Sequence, residues 1–130
     1  MFIENIDRLF TETVLNKLFP AERADAFFEA LYGDASEGAY DIVFSFQGLK
    51  KDTLEFRFDL HRRPGKCLAC NLTYGLPQVF SRHPIIDIGG LVRDIEKRLA
   101  GKATCSRWEL GETTEISNNL HVVPLTVFLE

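Results

Sequence analysis

Apolar side chains recur at intervals of three and four over the first 32 residues, and at intervals of two between residues 40 and 74. Ile3, Ile6, Phe10, Val14 and Leu18, widened by Leu9 and Leu15, predict one amphipathic helix over residues 3–18. Pro20 ends it, because proline has no N–H to donate and biases Phe19 away from the α region. A second helix is expected to start with Pro20 at or near its first position, with Ala24, Phe27, Phe28 and Leu31 facing inward and Gly33 as a left-handed C-terminal cap.

Between Tyr40 and Tyr74 the period changes to two, which predicts a three-stranded antiparallel meander. Its apolar sets are Tyr40, Ile42, Phe44 and Phe46; then Leu54, Phe56, Phe58 and Leu60; then Leu68, Cys70, Leu72 and Tyr74. The turns are Gly48–Asp52 and Arg63-Pro64-Gly65. Keeping the even-numbered residues on one face pairs Leu60 with Leu68 and Leu54 with Tyr74, and sets His61 opposite Cys67.

Residues 75–84 lack either period and read as a long loop. A helix over 87–99 would bury Ile88, Leu91, Val92, Ile95 and Leu99, capped by Asp87 and stopped by Gly101. Strands are expected at 103–110 and 120–129, with 111–119 as a polar turn. The last strand is apolar on both faces, and Pro124 predicts that it lies at a sheet edge or carries a bulge. The expectation is one α+β domain over 1–130: a two-layer sandwich with an antiparallel five-stranded sheet (β-β-β-α-β-β), two N-terminal helices and one crossover helix.

Composition changes this picture little. The chain has 130 residues, 45% of them hydrophobic, and 11 are phenylalanine, which suits a packed core between helices and a sheet. Charge is uneven. Residues 1–41 hold nine acidic and three basic side chains, whereas 42–66 hold six basic and three acidic. The overall charge of −4 argues against general nucleic-acid binding. The N-terminus has no signal-peptide pattern, and no apolar run approaches the roughly 20 residues that cross a bilayer. A cytoplasmic protein without membrane attachment is the expectation, with its three cysteines as thiols.

Three groups of residues could carry chemistry. Cys67-Leu68-Ala69-Cys70 matches C-x-x-C, but strand alternation points the two thiols to opposite faces and no second pair is present. His61 opposite Cys67, joined by Cys105, is the candidate thiol or metal site. Arg82, His83, Gly89 and Gly90 form the candidate ligand site: open N–H groups at a helix start with a cation and an imidazole just upstream, suited to an anion. Asn71-Leu72-Thr73 is a sequon within a strand and is set aside. Glu55, Arg57 and Asp59 read as a surface charge ladder, and His121 as a satisfied or interfacial histidine.

No catalytic set and no cofactor signature emerges. The expected function is a non-enzymatic binding module, chaperone- or adaptor-like, that meets a protein partner or its own copy through the C-terminal strand. The alternative is a small-ligand or enzyme domain with a pocket at 75–84 and the following helix start. In size, acidity and part of its element order the chain resembles type III secretion chaperones, which implies a small homodimer that binds partner segments. It ends in a strand where those proteins end in a helix.

Overall fold

A computed structural model describes residues 5–34, 38, 40–66 and 76–130. The first helical stretch is broken in two. Helix α1 covers Ile6–Leu9 and α2 covers Glu12–Leu18, where a single helix was expected. Thr11 causes the break: its backbone is extended and its hydroxyl accepts the Val14 N–H at 3.3 Å, the geometry of an N-cap. The break turns Phe10 into the core, where its ring sits 5.0 Å from Phe46 and 5.1 Å from Phe56. In the following turns Leu15, part of the expected stripe, is buried together with Phe19, while Val14 and Leu18 are only partly buried.

Helix α3 (Glu22–Tyr32) buries Ala24, Phe27 and Phe28 and ends at Gly33, whose φ of 78° is the left-handed cap its position called for. Strands β1 (Tyr40–Lys50) and β2 (Thr53–Arg62) pair antiparallel, with Ile42 opposite Leu60 and Phe44 opposite Phe58. A bulge between Phe46 and Gly48 shifts the alternation by one residue. Odd-numbered Leu49 thereby joins the apolar face opposite Leu54, and β1 runs three residues into the turn expected at Gly48–Asp52.

Helix α4 (Leu76–Arg82) occupies the segment expected to be a loop, and α5 (Ile88–Leu99) follows. All five of the expected inward residues of α5 are buried. Strands β3 (Cys105–Leu110), β4 (Thr114–Ser117) and β5 (Leu120–Leu129) complete the described elements; β4 lies where a polar turn was expected. The sheet order is β1-β2-β5-β3, with β4 pairing the first part of β5.

Two sequence expectations are corrected by this order. Both edges of β2 are filled, by β1 and by β5, so β2 has no edge left on which to pair with 67–74 in the expected register. Residues 67–74 lie outside the described residues, and β4 supplies the fifth strand instead. Strand β5, expected to lie at an edge or to carry a bulge at Pro124, is central and pairs with β2 through Pro124 without a register shift. Pro124 is tolerated because β3 pairs with 125–129 and β4 with 120–122, which leaves a gap between them. Its carbonyl accepts the Gly111 N–H at 2.9 Å on that side, so its missing donor faces the gap as well.

The result is an α+β fold with a five-stranded antiparallel sheet and helices on one face. The core is largely aromatic. Phe44 and Phe56 stack at 5.0 Å, and Phe58 meets Phe19 and Phe80 edge-on at 5.3 and 5.6 Å. Phe80 also meets Phe27, which ties α4 to α3 and to the sheet. Among the described residues no helix is long and apolar enough to cross a membrane.

Candidate functional site

Alternation in the strands sends Leu54, Phe56, Phe58 and Leu60 into the core and their odd-numbered neighbours outward. On this outer face Val43, Asp59 and Val122 form one cross-strand row, and Ser45, Arg57 and Pro124 the next. Arg57 Nε meets Asp59 Oδ1 at 2.6 Å. Asp59 and its neighbour Val122 are only 8% and 7% exposed, whereas Val43 on the other side of Asp59 is 40% exposed. Glu55 accepts the hydroxyls of Thr53 and Thr126 at 3.0 and 2.8 Å. Arg107 lies over the Phe128 ring at 3.6 Å and pairs with Glu109.

The expected charge ladder is therefore a set of internally paired groups set among apolar side chains. Sequence reading placed Glu55, Arg57 and Asp59 on one face but did not connect them with Val43 and Val122. The signal was present in the shared parity of these residues and lacked only the β2–β5 pairing.

The thiol and metal candidates separate. His61 is exposed and stands opposite Leu120, whereas Cys105 stands opposite Leu129. Nine positions along one strand correspond to about 30 Å, so His61 and Cys105 cannot share an ion. Cys67 and Cys70 lie outside the described residues. No cluster of three His, Cys, Asp or Glu side chains among the described residues could hold a metal. The Cys105 N–H donates to Glu96 Oε2 at 2.8 Å. Burial, followed by the charge of that carboxylate, pushes the Cys105 thiol up to about 11, which makes it a poor nucleophile. His121 is buried between Leu60 and Glu115 on β5.

The anion candidates fall into two sets. At the start of α5, Asp87 adopts a left-handed backbone and its Oδ1 accepts the Gly90 N–H at 3.1 Å. A Cβ at Gly90 would lie 2.2 Å from Asp87 Oδ2, so the glycine makes room for this carboxylate. The seat that the two glycines suggested for an anion is thus taken by the chain's own Asp87. Gly89 lies beside Arg93, whose Nη1 would be 3.7 Å from a Cβ there.

Arg82 and His83 belong to a separate feature. With Val79 and Pro84 they line an open hollow of about 350 Å³. His83 Nδ1 accepts the Ile85 N–H at 3.2 Å, and the ring stands edge-on to Phe27 at 4.8 Å. Val79, 39% exposed, went unnoticed in the sequence because α4 was not foreseen.

Comparison with family models, with curated proteins and with solved structures finds no match to this chain.

Proposed function

We propose that this chain is a non-enzymatic interaction module that works as a homodimer, its two copies meeting through the outer face of the sheet around β5. The observation that carries this reading is the Val43–Asp59–Val122 row, in which two apolar side chains flank a shielded, ion-paired carboxylate. Leu120, Pro124 and Phe128 extend the apolar column along β5, each only partly buried. Because both edges of β5 are occupied, its outer face is the route left for the contact that its two-sided apolar pattern suggested.

Charge favours a second copy as the occupant. An isologous contact brings a patch against itself, so unpaired charges of one sign would oppose each other near the twofold axis. Here Arg57 already has Asp59, and Arg107 already has Glu109. Two such faces can stack at the ~10 Å spacing of packed sheets with Glu55, which has hydroxyl partners but no cation among the described residues, set away from the twofold axis. A chaperone- or adaptor-like role would be exercised by that dimer.

Light scattering coupled to size exclusion tests the reading. The expected mass is twice 14.8 kDa at concentrations on the order of 100 μM. Val43→Lys, at a residue 40% exposed, should return the mass to that of one chain without changing the circular dichroism spectrum. A wild-type monomer would reject the homodimer, and a dimer unaffected by Val43→Lys would place its contact elsewhere.

A further inference from the structure

We infer that the hollow beside α4 is a seat for a small carboxylate with a short apolar tail, Arg82 and His83 holding the carboxylate and Val79 and Pro84 the tail. The site is independent of the outer sheet face. It lies in the helical layer, held there by Phe80, which is fully buried against Phe27 and Phe58.

Four observations meet in this hollow. Its volume of about 350 Å³ is within the range of small-molecule sites. Arg82 is exposed and has no ion-pair partner among the described residues, so its guanidinium has its fork of donors to offer. In neutral His83 the bond that Nδ1 accepts from Ile85 puts the proton on Nε2, and Phe27 fixes the ring plane. The remaining lining is apolar, from Val79 and Pro84.

A carboxylate fits better than a phosphate. One guanidinium lines the hollow, which balances a single negative charge. Asp87, whose N–H donates to the His83 carbonyl at 2.9 Å, sets a fixed carboxylate in the same turn and opposes a dianion. The Gly90 N–H, which would otherwise help to bind phosphate, is directed at the Asp87 carboxylate.

The test is a titration of the isotope-labelled full chain, followed by NMR, with hexanoate, hexylammonium and inorganic phosphate in separate arms. Hexanoate should shift the side-chain signals of Arg82 and His83, and the other two probes should leave them in place. Arg82→Gln should weaken hexanoate about tenfold while the thermal midpoint stays put, since Arg82 is exposed. Val79→Asp, which puts a like charge on the wall, should abolish the response. Equal shifts with hexylammonium, tighter binding of phosphate, no response to hexanoate, or full affinity in Arg82→Gln would each overturn the assignment.

Discussion

Gly111 and Pro124 are matched to each other across the gap between β3 and β4: the glycine N–H reaches the proline carbonyl at 2.9 Å, and a Cβ on the glycine would stand 2.6 Å from the proline Cγ. Gly111→Ala should therefore cost about 1–3 kcal/mol through overpacking, measured by urea unfolding. In a Pro124→Ala background the same change should cost less, because the ring it strikes is gone. Equal costs in the two backgrounds would mean that the glycine is needed for another reason.

Phe80 anchors the helix that the sequence did not announce. Phe80→Ala removes a fully buried ring that touches Phe27 and Phe58, and should destabilise the chain by about 3–5 kcal/mol. Val43→Ala, on the outer sheet face of the isolated chain, should change stability by less than about 0.5 kcal/mol. A comparison of the two denaturation midpoints checks both values.

Asp87 and Gly90 act as a unit at the start of α5. Asp87→Ala removes the cap and should cost about 1 kcal/mol. Gly90→Ala puts a methyl where the Asp87 carboxylate lies and should lose the same cap. The double variant should accordingly be less destabilised than the two single losses combined, which a double-mutant cycle by thermal unfolding would reveal.

Cys105 should resist alkylation at neutral pH, as followed by mass spectrometry of its peptide. Its thiol is pushed from 9.0 to about 11, so the unfolded chain releases this proton before the folded one does. The contribution to stability is intact below pH 9 and falls as pH rises through about 11. Glu96→Gln removes one of the two causes and should raise the alkylation rate at a given pH.

Much of the fold could be read from local pattern. Parity alone gave the β1–β2 face, and the three-and-four spacing gave α5 with all five of its inward residues. What escaped depended on partners distant in sequence. Pro124 argued for an edge or a bulge, and that inference is sound for a strand with continuous neighbours. It fails here because β3 and β4 stop on either side of the proline. Helix α4 escaped although Leu76, Val79 and Phe80 stand at helical spacing, because seven residues with Pro77 among them give little more than one repeat of that pattern. The candidate site divided for a related reason. Arg82 and His83 share a hollow, whereas Gly89 and Gly90 adjoin a carboxylate that the sequence already contained at Asp87.

The central place of β5 bears on how the chain reaches its fold during synthesis. Strand β2 emerges early and its hairpin with β1 is local, but its second edge waits for partners 59 to 75 positions away, from His61 with Leu120 to Thr53 with Phe128. Until residues 120–129 leave the ribosome, a hairpin rich in phenylalanine holds an unpaired edge. Such distant pairing folds slowly, and β3 and β4 also have no neighbour until β5 arrives. The nascent chain is thus at its most aggregation-prone just before residues 120–129 are made.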